Sequence, residues 1–582
     1  MKPVFNSMLA ICVGICLQIS MMPHSQAQTS AAEQISFEKN PETTATYQET
    51  MAFYQNLDQN YDQCKLLEYG NTDFGEPLRL LVLSKDKIFD PQAAKASGKL
   101  VLLINNGIHP GEPEGIDASM MLARDLLKAD LLPKNMVICI IPVYNVGGMN
   151  NRGRSRANQN GPEAYGFRGN ARNLDLNRDF IKTDSRNSRT FQEIFQTWQP
   201  DVFMDTHTSN GADYQYIMTL IDTQRDKLHP ELAELAPRIT GELYNRMEKS
   251  GFPMVPYVSF RGRTPESGIV SFMEGPRYST GYAALHHTIG YMPETHMLKT
   301  YAQRVHSTYA LLNHYIQVSS EQAEEIKSAR KMALEASRSQ KRFTLTYTLD
   351  TNRYEEIDFM GFESGSKPSE VSGQPRLFYD RDKPFTRKIR YYNRYKPVLE
   401  IEKPQAYVIP QAWHEVISLL QLNGVKVQQL ERDTLMELDM YYITDFQTAR
   451  APYEGHYNHS QVKLRTERQQ VQFYKGDYLV YMDQAANRYV VETLEPQAPD
   501  SFFNWNFFDS ILSRKEYFSA YVFEDEAAQI LRDNPELRAA FEEAKASDEQ
   551  LRSNAQAQLS WIHSNSDYAE KTHMRYPIGR LP

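Results

Sequence analysis

Cysteine is scarce in this chain, which has four among its 582 residues. Two of them, Cys12 and Cys16, lie in an apolar N-terminal stretch, so Cys64 and Cys139 are the two that remain beyond it. Two cysteines cannot form the disulfide framework of a small secreted domain. The sequence leaves open whether this pair forms one disulfide, although the apolar run around Cys139 favours a buried, inert thiol.

An excess of positive charge is also missing. The net charge of −9 gives no reason to expect nucleic acid or an anionic membrane as a partner. Beyond the N-terminal stretch, no segment of the sequence is long and apolar enough to span a bilayer, and there are no internal repeats. The length exceeds what one core supports, so about two or three domains are expected. Nothing in the sequence predicts an oligomeric state.

The N-terminal stretch resembles a secretory signal. Lys2 supplies the positive start, residues 8–22 are mostly apolar, and Ser25-Gln26-Ala27 provides small residues for cleavage. We predict a signal peptide at residues 1–27, cleaved after Ala27. The mature protein is then expected to be exported, and either periplasmic or secreted.

Strand and helix patterns alternate over residues 28–318. The predicted strands are Pro77–Ser84, Leu100–Asn105, Met136–Val143 and Asp201–Asp205, and the predicted helices are Gly115–Ala129, Ser188–Trp198, Pro230–Lys249 and Thr300–Gln317. This alternation predicts an α/β fold, a mostly parallel mixed sheet with helices on both faces.

The pattern changes after residue 318. Residues 319–342 are charged and are predicted to form a solvated linking helix. Shorter β-rich runs then alternate with helical segments up to the end of the chain. We predict that residues 343–582 form a smaller α+β domain, whose role the sequence does not indicate.

Two predicted strands end in candidate metal ligands. His109 and Glu112 follow the strand Leu100–Asn105, in the Gly- and Pro-rich end of VLLINNGIHPGEPEG. His207 follows the strand Asp201–Asp205, in PDVFMDTHTSN. The carboxyl ends of strands are where open α/β sheets bind ligands. Two imidazoles and one carboxylate leave one tetrahedral position for water, the arrangement of a catalytic zinc. We therefore expect one Zn²⁺ per chain. Asp205 could orient one of the ligands through a hydrogen bond without binding the metal itself.

A third apolar run, IGYMPETH, brings Glu294 to the same kind of sheet edge. A desolvated carboxylate can take a proton from a water and return it to a leaving nitrogen, so Glu294 is our candidate base. Between the strands, residues 145–180 form a stretch rich in Gly, Asn and Arg. Such a stretch is either a solvated basic loop or part of a site near a metal. In the second case one arginine can stabilise an oxyanion and another can bind a substrate carboxylate.

Together these motifs resemble the zinc carboxypeptidase family, of the carboxypeptidase A type, over about residues 47–317. The motifs, in the order in which the family has them, are His109-x-x-Glu112, Asn145-x-x-Gly148, Asp175-Leu-Asn-Arg-Asp-Phe180, His207 and Glu294. The resemblance implies that His109, Glu112 and His207 are zinc ligands and that Glu294 is the catalytic base.

The resemblance also implies substrate-binding residues. Asn177 and Arg178 match the pair that holds the substrate's terminal carboxylate, although Asp179 stands where that motif often has Asn. Arg156 best matches the arginine that stabilises the oxyanion, with Arg154 as its rival.

The mobile substrate-binding tyrosine of the family corresponds to Tyr278 or to Tyr282. Tyr278, in Arg277-Tyr-Ser-Thr-Gly281, resembles the family's local pattern but lies unusually close to Glu294, and Tyr282 is the other choice. This short spacing is a departure from the family pattern.

These observations lead to one main hypothesis and two alternatives. The main hypothesis is an exported zinc metallocarboxypeptidase, a hydrolase that cleaves a C-terminal peptide bond. A peptidoglycan stem-peptide hydrolase of the same family, acting on muropeptides, is the second hypothesis. The third is a non-catalytic binding protein that reuses the fold. A further pair, His456 and His459, forms an H-x-x-H pattern that we interpret as surface residues.

Overall fold

The computed structural model describes residues 33–582. The predicted signal peptide, residues 1–27, lies outside this range, so its cleavage stays a prediction. Of the helices in the described part, none has the length and apolar character needed to cross a membrane.

The first half of the described chain, residues 33–339, contains ten strands and ten α-helices. In chain order they are α1 (Ser36–Lys39), α2 (Tyr47–Asn60), β1 (Cys64–Asn71), β2 (Pro77–Leu83), α3 (Pro91–Ser97), β3 (Leu100–Asn105), α4 (Glu114–Lys128), β4 (Met136–Ile141), α5 (Val146–Asn150), α6 (Arg186–Trp198), β5 (Val202–Asp205), β6 (His207–Ser209), β7 (Met218–Asp222), α7 (Pro230–Lys249), β8 (Met254–Pro256), β9 (Ile269–Val270), α8 (Ser279–Leu285), β10 (Ile289–His296), α9 (Tyr301–Glu321) and α10 (Ala323–Ser339).

The second half continues with β11 (Arg342–Leu349), β12 (Glu355–Pro368), β13 (Pro375–Tyr392), β14 (Tyr395–Glu402), β15 (Ala406–Ile409), α11 (His414–Leu422), β16 (Gln428–Gln429), β17 (Thr434–Thr448), β18 (His459–Phe473), β19 (Tyr478–Tyr481), α12 (Asn487–Leu494), α13 (Ala520–Asp533), α14 (Pro535–Ser547), α15 (Glu549–Ser553), α16 (Ala555–Ser564) and β20 (Gly579–Leu581).

A nine-stranded sheet forms the centre of the first half. Its strand order is β1-β2-β4-β3-β5-β10-β7-β8, and β6 pairs with β10 beyond the end of β5. Strands β4, β3, β5 and β10 run parallel, whereas β2 and β7 are antiparallel to their neighbours β4 and β10. Both β3 and β4 are buried throughout, as expected for uninterrupted apolar runs in a parallel sheet. The predicted α/β fold with a mostly parallel mixed sheet is confirmed.

Helices cover both faces of this sheet, and each face has its own apolar core. Because successive strand residues point to opposite faces, Leu102 packs in the core that contains α4 and α9. Its neighbour Leu103 packs in the core that contains α6. The two cysteines also lie in different cores, Cys64 in the first and Cys139 in the second, and both are buried free thiols.

Side-chain caps mark where two of the covering helices begin. Ser185 precedes α6 and accepts a hydrogen bond from the backbone N–H of Ser188. Thr300 precedes α9 and forms a reciprocal capping box with Gln303. Each cap satisfies N–H groups that the first helical turn leaves without partners.

The second half is the α+β arrangement that the sequence predicts. Long antiparallel hairpins, β12–β13 and β17–β18, are followed by a group of helices, α13 to α16. The second core continues across the predicted boundary at residue 343, since Trp198 belongs to the same cluster as Tyr407, Ile417 and Val490. The strand β9 also pairs in parallel with β13.

The predicted linking helix is present as α10, but it is not solvated all round. Ile326, Ala329 and Ala333 are buried along one face. Arg330 is 9% exposed and forms an ion pair with Asp201 at 3.3 Å. Apolar residues at helical spacing form a narrow stripe along this otherwise charged helix. Because that stripe is buried, α10 packs against the first half.

Candidate active site

His109 and Glu112 lie on the loop between β3 and α4. Gly107 turns the chain there with φ of +65°, a conformation that glycine adopts without a steric penalty. In the first turn of α4, a Cβ added to Gly115 would lie 1.9 Å from Oγ1 of Thr206. The helix therefore begins in close contact with the break between β5 and β6, which places the loop over the sheet edge.

Strand pairing brings His207 and Glu294 together. His207 is the first residue of β6, and the parallel register of β6 with β10 sets Glu294 directly opposite it. A shift of one residue in this register would move the carboxylate to the other face of the sheet. The juxtaposition therefore depends on backbone hydrogen bonds, not on a flexible loop.

The two imidazoles use the same nitrogen atoms towards equivalent partners. His109 Nε2 is 2.8 Å from Asp175 Oδ1, and His207 Nε2 is 3.0 Å from Asp205 Oδ2. Each Nδ1 then faces Glu112, at 3.4 Å for His109 and 3.1 Å for His207. The structure thus contains the contact predicted for Asp205, and Asp175 makes the equivalent contact to the other ring.

This donor set fits a zinc ion. One ligand atom from each of His109, Glu112 and His207 lies within 4.8 Å of the others, and all three residues are buried. The Nδ1 of His109 is buried and forms no hydrogen bond within the described part of the chain, as expected of an atom whose partner is a metal. In zinc sites, the histidine nitrogen that does not bind the metal usually donates a hydrogen bond to a carboxylate, as both rings can do here.

The two glutamates differ in their affinity for a proton. Burial raises the pKa of Glu294 to about 7, an effect that the charge of His207 opposes and that of Glu112 reinforces. Burial acts in the same direction on Glu112, but Arg156 and His109 outweigh it and hold the Glu112 pKa well below its ordinary value. Glu112 is therefore ionised, and Glu294 can exchange a proton near neutral pH.

A cavity of about 380 Å³ opens over these residues. Three arginines line it, namely Arg156, Arg168 and Arg178. Arg156 donates to the carboxylate of Glu112 and to the Thr208 carbonyl, whereas its rival Arg154 is exposed and absent from the lining. On the apolar side the lining consists of Ile221, Tyr257, Phe272, Tyr278 and Met292.

Asn177 and Arg178 lie in a short 3-10 turn whose backbone is capped by Asp175. The Asn177 side chain accepts a hydrogen bond from the backbone N–H of Ser279 at 3.0 Å. This bond ties the turn to the start of α8, where Tyr278 lines the cavity. The Arg178 guanidinium lies over the Tyr278 ring, 4.4 Å from its centroid.

Tyr282, the other candidate for the substrate-binding tyrosine, lies away from the cavity. It is fully buried in the second core, and its hydroxyl donates to Asn423 Oδ1 at 2.7 Å. One helical turn of α8 separates the two tyrosines, so only Tyr278 reaches the cavity. Of the two alternatives, the structure therefore favours Tyr278.

Two residues near the metal ligands were not identified from the sequence. Arg168 lines the cavity and donates to Asp175 Oδ2 at 2.9 Å. It shares the glycine- and arginine-rich stretch with Arg156, and nothing in its spacing distinguishes it. Asp175 opens the DLNRD motif, but its position behind His109 depends on long-range folding.

The site combines a buried His-Glu-His cluster, a carboxylate of raised pKa and a cavity lined by arginines. Such an arrangement could hold a divalent metal ion beside a proton-accepting carboxylate, which are the groups that metal-assisted hydrolysis requires.

Comparisons with known proteins relate part of the chain to one family. A model of the zinc carboxypeptidase family matches residues 50–227. The chain is 22% identical over 462 residues to carboxypeptidase 2 of Trichophyton rubrum, which covers 73% of this chain and 76% of that protein. Carboxypeptidase 2 of Trichophyton equinum is 23% identical over 462 residues, with the same two coverages.

Similar solved structures include a metallo-carboxypeptidase from Burkholderia cenocepacia, at 16% identity and a TM-score of 0.35. That match covers 46% of this chain and 69% of the other. The carboxypeptidase A from Helicoverpa armigera is 15% identical with a TM-score of 0.38, covering 51% of this chain and 78% of that one.

The family match over residues 50–227 and the carboxypeptidase relatives support a metallocarboxypeptidase, a hydrolase, and the family implies zinc as the metal.

Proposed function

We propose that the chain is an exopeptidase that hydrolyses the C-terminal peptide bond of a peptide with a free carboxylate. His109, Glu112 and His207 would hold one Zn²⁺. When bound, the zinc lowers the pKa of a water and polarises the scissile carbonyl. The observation that carries this proposal is the convergence of both Nδ1 atoms on Glu112, with Glu294 fixed opposite His207 by the strand register.

Glu294 acts as the base in this proposal. It removes a proton from the attacking water and later delivers that proton to the departing nitrogen, so the carboxylate is regenerated in each cycle. Its half-buried position and raised pKa suit both transfers. Arg156 stabilises the oxyanion of the tetrahedral intermediate, a contribution of about 3 kcal/mol for one such donor.

Asn177 and Arg178 hold the terminal carboxylate of the substrate, and Tyr278 closes over it. A guanidinium binds a carboxylate through two parallel hydrogen bonds, which fixes the orientation of the substrate as well as its affinity. The side chain of the last residue then lies against the apolar part of the cavity, beside Phe272 and Met292. We infer a preference for an apolar C-terminal residue.

Export is a further part of the proposal. It rests on the sequence of residues 1–27, which the structure does not describe. Mass spectrometry of the native protein, recovered outside the cytoplasm, should find an N-terminus near Gln28. An intact Met1 on that protein would contradict it.

Glu294→Gln tests the proposed reaction, because it preserves the shape of the side chain and removes the base. We expect kcat to fall by roughly 10²–10⁴-fold, the usual contribution of a general acid–base group. Bound zinc, measured by inductively coupled plasma mass spectrometry, should stay at one ion per chain. Glu234→Gln, on an exposed face of α7, is the matched control and should retain wild-type activity.

Three results would revise the proposal. A Glu294→Gln enzyme with near-normal kcat would remove Glu294 from the role of base. A purified protein that neither carries nor takes up zinc would favour the non-catalytic alternative. Cleavage of muropeptides with little cleavage of ordinary peptides would assign the peptidoglycan substrate instead.

A further inference from the structure

The 449–458 loop, which joins β17 to β18 in the second, C-terminal half of the chain, extends to the turn that carries Arg178. Nε of Arg178 donates a hydrogen bond to the Tyr453 hydroxyl at 2.9 Å. The backbone N–H of Asp175 donates to the Glu454 carboxylate at 2.7 Å. Two consecutive residues of the loop therefore contact both ends of the turn formed by residues 175–178.

Tyr453 rests on a rigid support. Its backbone exchanges two hydrogen bonds with His456, at 2.8 and 3.0 Å. Its ring stacks on the buried indole of Trp505, with centroids 6.3 Å apart and planes 22° apart. Arg277 packs over the same indole at 4.9 Å and is paired with Asp500 at 2.6 Å. The hydroxyl is thus held in one place.

The contacts of Arg178 leave part of its guanidinium for a ligand. Nη1 donates to the Asn177 carbonyl at 2.7 Å and lies 4.0 Å from Asp175 Oδ2, and Nε donates to Tyr453. Within residues 33–582, no group accepts a hydrogen bond from Nη2. Because arginine carries five N–H groups in a planar fork, the edge between Nη1 and Nη2 can still take a carboxylate.

We propose that the C-terminal half completes the carboxylate subsite. Tyr453 is a positioning residue that holds Arg178 in the geometry that binds the terminal carboxylate, and Glu454 steadies the turn behind it. The inference rests on the proposed function. It adds that recognition of the free carboxylate depends on a hydroxyl 275 positions away in the chain.

Tyr453→Phe tests the hydroxyl, because this variant keeps the ring stacked on Trp505 and loses only the acceptor. The substrate is an N-acetylated tripeptide that ends in phenylalanine. We expect KM to rise on the order of tenfold, the size of one hydrogen bond to a charged group. Since the bond orders a binding group that acts in ground state and transition state alike, kcat should change by less than about twofold.

The matched control is Tyr457→Phe. Tyr457 is a tyrosine of the same loop that is 51% exposed, and its loss of a hydroxyl should leave KM at the wild-type value. Glu454 provides a second test. Glu454→Ala removes the acceptor for the Asp175 N–H and should raise KM, whereas Glu454→Gln keeps an oxygen acceptor and should restore most of the wild-type KM.

Binding measured without turnover separates positioning from chemistry. In the Glu294→Gln background, calorimetry with the same tripeptide should show the Kd raised by Tyr453→Phe by the same factor as KM. With the amidated tripeptide, Tyr453→Phe should change nothing. In an Arg178→Ala background it should also have no further effect, because a residue that acts through Arg178 has nothing left to position.

Each outcome separates this inference from the proposed function. If the wild type cleaves and binds the tripeptide but Tyr453→Phe matches Tyr457→Phe, the inference is overturned and the proposed function stands. A Tyr453→Phe effect that persists in full after Arg178→Ala also overturns it. If the zinc-loaded wild type neither binds nor cleaves peptides with a free carboxylate, the proposed function falls first.

Discussion

Asp175→Asn should weaken zinc binding without unfolding the site. Asp175 accepts a hydrogen bond from His109 Nε2 at 2.8 Å, which keeps the lone pair of the ring on Nδ1, facing Glu112. The asparagine retains one oxygen for the ring and for the backbone N–H of Asn177, which Asp175 also binds, at 2.9 Å. What the variant loses is the negative charge behind the imidazole.

The size of the effect follows from this position. Removing a carboxylate that supports a metal-bound histidine usually weakens metal affinity by about 10–100-fold, which corresponds to about 1.4–2.7 kcal/mol. The loss should lie toward the upper end, because Asp175 also accepts from Arg168 at 2.9 Å. Without the carboxylate, that arginine keeps only its longer contact to Glu112, at 3.4 Å within residues 33–582, so its positive charge near the candidate ligands is less well balanced.

The assay is competition between the metal-free protein and a fluorescent zinc chelator, which yields the zinc Kd without enzymatic turnover. Asp58→Asn is the control, because Asp58 lies on α2 and, among residues 33–582, pairs only with Lys65, at 3.2 Å. Asp205→Asn, which changes the carboxylate behind His207, should weaken binding to a similar extent. A wild-type Kd for folded Asp175→Asn would refute the idea that this carboxylate orients His109.

Two further predictions concern stability. Gly115→Ala should lower the free energy of unfolding by about 1–3 kcal/mol in urea titrations, because the new Cβ would overlap Thr206; Gly241→Ala, with nothing within 4 Å of the added Cβ, should stabilise by about 0.4–1 kcal/mol, and equal effects would refute the packing argument. Burial raises the pKa of Asp117 to about 6, above the value of about 3.9 in an unfolded chain, so the free energy of unfolding is highest at low pH and falls as pH rises from about 4 to about 6. The free energy of unfolding of Asp117→Asn should therefore exceed that of the wild type by up to roughly 3 kcal/mol across that window. A difference that does not change with pH would contradict this prediction.

The regular elements of the first half were largely predictable because their patterns are long and strong. The helix α7 has the bounds that its apolar period predicts, Pro230–Lys249, and β3 is a single apolar run. β1 was missed because it lies at the sheet edge and mixes polar with apolar residues. His459, interpreted as a surface residue, is 5% exposed, since its hairpin packs on another part of the chain.

The convergence of the candidate metal ligands was predictable for a topological reason. His109 and His207 each follow a buried strand, and neighbouring parallel strands bring their carboxyl ends to one edge. Tyr453 carried no such signal. It lies on the loop of a hairpin in the second half, and its contact with Arg178 depends on how two separately patterned regions pack together. No local pattern encodes that relation.

The apolar core that Trp198 shares with Tyr407 and Val490 also affects what happens when the chain is cut by a protease. A cut in the segment around α10 would sever one covalent connection, while the interdigitated side chains would keep both pieces associated, as in a nicked protein. We therefore expect processing at that point to leave the two pieces in one complex. An enzyme preparation that shows two bands on a denaturing gel should still elute as a single particle and keep its activity.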